Sequence, residues 1–233
     1  MLYRPVKTPR NLLILHSYYT QNQFFMKNLL LIAAILLPAW AWCQPGSIIR
    51  LANPSFEGTP RPGTLPDGWT DCGFSRQSPP DTQPGYFGVT RKAFDGNTYL
   101  GMVVRDDGTR ESVSQQLSDT LRTGRCYLMI AMLSRSNVFR SLTSSFIDSA
   151  DFTVPTVLRV YGGTSPCSKL ELLAETAPVN HFKWMEYEFI LKPRSNYTHI
   201  VLAAEYEDLN KRFYNGHILL DRLSDIEEVV CDD

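Results

Sequence analysis

None of the short motifs by which many enzymes are recognised is present in this chain. Gly-x-Ser-x-Gly, His-Glu-x-x-His and a phosphate-cradling Gly-rich loop are all missing, so a nucleophile elbow, a zincin helix and a P-loop are not the starting points. Histidine is scarce, with four in 233 residues. Charge of one sign is not in surplus: 23 Lys and Arg against 24 Asp and Glu leave a formal net charge of -1. That balance gives no electrostatic case for nucleic acid or an anionic membrane. No apolar run reaches the roughly 20 residues of a spanning helix. From Gly46 onward there is no convincing helical period, internal repeat, low-complexity tract or interdomain linker.

What is present begins with an export signal. Lys27 precedes an apolar run from Leu29 to Trp42, which suits a signal-peptide core and is too short to span a bilayer. Small residues follow as Ala39-Trp-Ala41 and Ala41-Trp-Cys43, and the expected cleavage lies before Gln44. Residues 1–43 are therefore read as an N-terminal extension and signal peptide, and 44–233 as one domain that is secreted, periplasmic or at the cell surface. A lipoprotein signal would instead acylate Cys43, but Trp40 and Trp42 stand where such signals take small and aliphatic residues. Met26 offers a second start for the same signal.

Removing Cys43 leaves Cys72, Cys126, Cys167 and Cys231. An even count in an exported chain points to disulfides, with three connectivities open. No pair has the Cys-x-x-Cys spacing of a zinc site.

Fifteen Pro and 14 Gly separate short β-like runs, which favours an all-β fold. The expected strands are Ser47–Asn53, Thr98–Val104, Glu111–Leu117, Cys126–Leu133, Val157–Tyr161, Trp184–Lys192, Tyr197–Tyr206 and His217–Val230. Trp184–Lys192 alternates, with Met185, Tyr187, Phe189 and Leu191 on one face and Glu186 and Glu188 on the other. Such alternation implies sheets covered on one side, and eight or nine strands make a two-sheet sandwich the natural architecture. Leu170–Thr176 reads as a short strand or a helical turn, and Ser136–Pro155 has too little period to assign.

A binding face on such a sandwich would combine aromatic faces with planar polar groups. Parity places Arg159 and Tyr161 opposite Leu158 and Val160, and Glu205 opposite Leu202 and Ala204. Arg135 follows the strand ending near Leu133, and Tyr86 lies in Gln83-Pro-Gly-Tyr-Phe87. These five are the candidate binding residues. Trp69 and Trp184 read as core. Glu186 with Glu188, or Glu205 with Glu207, are the carboxylate pairs a glycosidase would need, but same-face strand carboxylates read as a solvated face, and no catalytic residue is assigned.

Five motifs in order carry a resemblance: Asn53-Pro-Ser-Phe-Glu57, Pro66-Asp-Gly-Trp69, the Gly-x-x-Tyr-x-Gly of Gly96 to Gly101, Val113-Ser-Gln-Gln-Leu117, and the closing strand containing Asp221. Together they resemble carbohydrate-binding modules of the family 4, 9 and 22 type, in a small secreted bacterial protein. The resemblance implies a galactose-binding-domain-like jelly-roll sandwich with Leu51–Glu57 and His217–Ile226 as structural strands. It implies a structural calcium ion held by Glu57 and Asp221, since calcium takes six to eight oxygens from separate segments. It also sets the strand beginning at Cys126 antiparallel to the last strand, and so favours Cys126–Cys231, then Cys72–Cys167. The function implied is non-catalytic glycan recognition. The alternative is a structural or adhesive envelope protein that uses the same sandwich to bind a protein partner.

Overall fold

The computed structural model describes residues 46–142 and 148–231, and all their regular structure is β. The expected signal segment, residues 1–43, lies outside the described residues. The strands in chain order are β1 (Ile48–Ile49), β2 (Thr70–Asp71), β3 (Asp81–Gln83), β4 (Tyr99–Val104) and β5 (Ser112–Leu121). Next come β6 (Cys126–Ser134), β7 (Arg140–Leu142), β8 (Ser149–Asp151), β9 (Val154–Pro155) and β10 (Val157–Gly163). The last are β11 (Glu171–Glu175), β12 (Met185–Leu191), β13 (Tyr197–Glu205), β14 (Gly216–Asp221) and β15 (Ile226–Val229).

Two sheets face each other, as expected for an all-β jelly-roll sandwich. The larger has eight strands in the order β1-β15-β6-β14-β4-β3, with β12 also on β6 and β9 on β14. The smaller has five, β11-β10-β13-β5-β2. The core between them is built from alternate residues: Leu100, Met102 and Val104 of β4, Ile218 and Leu220 of β14, Leu158 and Val160 of β10, Ile200 and Leu202 of β13. Leu170–Thr176 resolves as strand β11, and the Ser136–Pro155 stretch supplies the hairpin β7–β8.

Three sequence expectations are corrected. Leu51–Glu57 is not a strand. Pro54 lacks an amide N–H for a ladder, while Asn53 and Phe56 take φ of 48° and 53°. Asn53 closes the turn on itself, its Oδ1 accepting from the Glu57 amide and its Nδ2 donating to the Glu57 and Asp67 carbonyls. Nor is His217–Ile226 continuous. It breaks at Arg222 (φ 41°), and the two halves, β14 and β15, pair with the same edge of β6. The loop between them is held by Leu223 N donating to Pro54 O and Ser224 N donating to Ile130 O. Finally, the sheets are not covered on one side only. Tyr99 and Val103 of β4 and Leu219 of β14 face away from the core into a second apolar cluster with Val89, Phe139 and Phe152. Tyr99–Val104 and Ile218–Leu220 are accordingly apolar without alternation, whereas β12, with Glu186 and Glu188 exposed, alternates.

Both disulfides form as the resemblance implied, Cys72–Cys167 and Cys126–Cys231, each with Cα atoms 5.2 Å apart. Cys126–Cys231 ties the start of β6 to the residues just beyond β15, where Val229 is opposite Cys126.

Candidate functional site

The candidate residues of the smaller sheet do share one face. Val157 is opposite Glu205, Arg159 opposite Ala203 and Tyr161 opposite Val201, all turned away from the core. That face is not open. Val201 and Ala203 are fully buried although neither belongs to the cluster between the sheets, and the β10–β11 connection reaches this face through Lys169, which meets Glu205 and Tyr161. Cys72 stands level with Ser112, whose carbonyl accepts from the Cys72 amide at 2.8 Å. Ser112 is opposite Ala203, which is opposite Arg159. To reach Cys72, Cys167 must therefore cross β13 and β5, a span of roughly 14 Å at the usual strand spacing. The chain can fold back this closely because residue 163 is glycine: a Cβ there would lie 2.1 Å from the Ser168 carbonyl oxygen.

Beneath this strap the polar groups lie close together. Glu205, 2% exposed, lies 2.8 Å from Arg110 Nε and 3.9 Å from Lys169 Nζ. Lys169 Nζ also sits 5.6 Å from the centroid of the Tyr161 ring. Arg159 donates to Glu175 at 2.9 Å. Burial raises the Tyr161 hydroxyl pKa, with the Glu205 charge adding to the effect. The charges of the cluster face one another in ion pairs, although Glu205 Oε2 and Arg110 Nε, buried and 2.8 Å apart, make no well-aligned hydrogen bond among the described residues.

Arg135 and Tyr86 lie elsewhere. Arg135 follows β6 on the larger sheet, its guanidinium 4.7 Å from the Phe182 ring and hydrogen-bonded to Asn180. Tyr86 is in the β3–β4 connection and 37% exposed. The five candidates thus fall into separate places.

Glu57 and Asp221 meet one loop, Phe94–Thr98. Glu57 Oε1 accepts from the Asn97 and Thr98 amides. Asp221 Oδ2 accepts from Phe94 and Asp95, and its Oδ1 from Arg222. Gly96 belongs here, because a Cβ would lie 2.2 Å from Glu57 Oε1. Burial pushes the Asp221 pKa up to about 6 against the pull of those three amides. Among the described residues no group of three or more His, Cys, Asp or Glu side chains is placed to hold a metal ion. The donor set suits main-chain amides and falls short of the six to eight oxygens of calcium.

The site that sequence reasoning missed lies on the outer face of the larger sheet. A cleft of about 200 Å³ is lined by Phe87, Phe139 and Phe152 on one side and by Gln77, Ser78, Asp81, Arg105 and Glu111 on the other. Arg105 directly follows β4 and Glu111 directly precedes β5. The tight turn between them, with Arg105 N donating to Thr109 O and Glu111 N to Val103 O, sets the two side by side as a buried ion pair. Glu111 Oε2 also accepts from Val103 N at 2.9 Å. Asp81 Oδ1 accepts from Gly63 N at 2.7 Å, and Arg105 Nη2 donates to Ser78. Arg105 Nη1 is buried with no hydrogen-bond partner among the described residues. Burial drives the Asp81 carboxyl pKa up to about 6 and raises that of Glu111 as well, with Arg105 pulling both back. The one available signal was an Arg and a Glu flanking an Asp-Asp-Gly turn at the ends of apolar runs.

His217 holds the aromatic wall in place. Fully buried, it donates from Nδ1 to the Phe152 carbonyl, and its Nε2 accepts from Ser136 N at 2.8 Å. Its ring lies 4.8 Å from that of Phe139, which stacks on Phe87 at 5.3 Å.

No protein-family model and no curated protein matches this chain. Among solved structures it is similar to the CBM22-1 xylan-binding domain of Paenibacillus barcinonensis Xyn10C (15% identity, TM-score 0.42, 82% of this chain and 99% of that one). It is also similar to the K3 cleaved adhesin domain of Lys-gingipain from Porphyromonas gingivalis (11% identity, TM-score 0.44, 78% and 98%). A third is the arabinose-bound MgGH51 α-L-arabinofuranosidase (11% identity, TM-score 0.47), of which 78% of this chain spans only 27%. The likeness in each case is a loose one of fold, and the β-sandwich itself stands on the two sheets described above.

Proposed function

We propose that this chain is an exported, non-catalytic module that binds a glycan in the cleft between the phenylalanine wall and the Asp81–Arg105–Glu111 set. The observation that carries the reading is the pairing of those two surfaces. A sugar ring offers C–H groups on its faces and hydroxyls at its edge, and this cleft offers phenyl groups opposite fixed acceptors and donors. Its volume of about 200 Å³ is below the roughly 300 Å³ of ordinary ligand pockets, which suits one ring or a chain end. Turnover is not part of the reading. A glycosidase needs an acid and a base, and Glu111 is held on both oxygens by Arg105 and Val103, so Asp81 has no second carboxylate to work with. Arg159, Tyr161 and Glu205 remain under the strap, outside the proposed site.

The test uses protein recovered after export, whose first residue should be Gln44, on an array of plant, algal and bacterial glycans. Gln77→Ala and Phe87→Ala should each weaken retention about tenfold, the first at nearly unchanged Tm and the second with a lowered Tm because Phe87 stacks on Phe139. Tyr161→Ala should leave retention intact, and no reducing ends should appear. Retention lost in Tyr161→Ala and kept in the cleft variants would move the site to the smaller sheet. An array on which the folded protein retains nothing would favour the envelope-partner reading.

A further inference from the structure

A second cleft, of about 410 Å³, opens on the same side of the larger sheet. It is lined by Thr90, Arg91, Lys92, Ala93, Ser136, Asn137 and Trp184. We infer that it takes the carboxylate or sulfate group of an acidic sugar, so that the glycan bound by this protein is an anionic one. The inference rests on reading the first cleft as a sugar site and specifies the class of glycan.

Two cations line this cleft and no carboxylate does. Neither Arg91 nor Lys92 takes part in an ion pair among the described residues, whereas Arg105, Arg110, Arg159 and Lys169 all do. Arg91 Nε is buried without a hydrogen-bond partner among the described residues. A guanidinium fork beside an ammonium, with no opposing charge in the lining, suits a planar carboxylate or a sulfate ester. Trp184 adds an aromatic surface, half-buried and fixed in orientation. Its Nε1 donates to the Lys92 carbonyl at 3.0 Å, and Tyr99 meets it edge-on with ring centroids 5.2 Å apart.

The two clefts share their framework. Phe87 and Phe139 line the first, and Thr90–Ala93 with Ser136 and Asn137 line the second. At most three residues of chain separate the linings, a reach of no more than about 11 Å. The buried His217 grips both, through Ser136 N on one side and the Phe152 carbonyl on the other. Neighbouring residues of one oligosaccharide could therefore engage both clefts.

Titration calorimetry tests this with three probes on one backbone at 50 and 300 mM NaCl: an oligogalacturonate, its carboxyl-reduced neutral counterpart, and a sulfated galactan oligomer beside the unsulfated one. An acidic member should bind at least tenfold tighter than its neutral counterpart, and salt should shrink the difference. Whether the uronate or the sulfate gains identifies the anionic group. Arg91→Gln and the fully surface-directed Lys92→Ala should each bring the acidic-to-neutral ratio towards one, so a folding defect in the first does not decide the result. Equal binding of acidic and neutral partners would overturn this inference and leave the glycan reading standing. Polyglutamate competing as well as the acidic sugar, with Trp184→Ala indifferent, would reduce it to unspecific charge attraction and overturn it. Failure to bind any probe here or any glycan on the array would remove both.

Discussion

His217 is the residue on which the cleft face most depends, and its protonation has a defined sign. Burial holds its pKa down to about 4 from the ordinary 6.5, because Nε2 must keep its lone pair for the Ser136 amide. Between those values the unfolded chain binds a proton that the folded chain does not, so acidification through this window weakens the fold, by up to about 3 kcal/mol. Asp81 and Asp221, raised to about 6 from 3.8, act the other way, since the folded chain holds their protons over a range where the unfolded chain has released them. The effects oppose in the parent protein, so a difference measurement is needed. The stability margin of the parent over His217→Asn, from urea unfolding, should shrink steadily from pH 7 to pH 4. A margin independent of pH would show that His217 does not titrate between 4 and 6.5.

At the scale of elements, the strap between β10 and β11 is the feature that sets this sandwich apart from an open one. It closes over the face where strand parity had gathered Arg159, Tyr161 and Glu205. Cys72–Cys167 joins residues 95 positions apart, and in the chain-entropy model its loss destabilises by roughly 4–5 kcal/mol. The double variant Cys72→Ser, Cys167→Ser should lower stability by about that amount. Exchange of the Leu170 amide, which donates to Gly162 O across the base of the strap, should speed up more than that of the β6 amides. If glycan binding survives in the folded double variant, the face beneath the strap is not the site; gain of a new glycan specificity would show that opening the strap creates one.

For the molecule as a whole, the sandwich is closed by tying its early and late segments together. β1 pairs with β15, Cys126 bonds Cys231, and Glu57 and Asp221 both grip the Phe94–Thr98 loop. Asp221→Ala removes the acceptor of three amides and should cost roughly 2–3 kcal/mol. With those oxygens already engaged, millimolar calcium and a chelator should leave Tm equal. A calcium-dependent rise of several degrees, lost in Glu57→Gln, would restore the metal role that the resemblance implied.

Much of this was legible from the sequence alone, wherever local physics or chain order decides. Period-two parity placed Arg159 and Tyr161 on the face away from Leu158 and Val160, because side chains alternate whatever the rest of the fold does. The even cysteine count and the antiparallel order of the implied jelly roll led to both disulfides. That β4 and β14 are covered on both faces was not read from the sequence, where alternation in Trp184–Lys192 had suggested sheets covered on one side. Other features were decided only in three dimensions. Leu51–Glu57 has the look of a strand, but Pro54 and the side chain of Asn53 make it a turn. Arg105 and Glu111 look like ordinary strand-end charges until the hairpin buries them against Asp81. Tyr86 and Arg135 do not share the face of Arg159 and Tyr161; in the chain they adjoin Phe87 and Ser136, which line the two clefts of the larger sheet. Whether an exposed-looking face is exposed depends on where a distant loop lands, and Cys167 lands on Cys72: residue type and periodicity determine which way a side chain points, and only tertiary structure determines what it finds there.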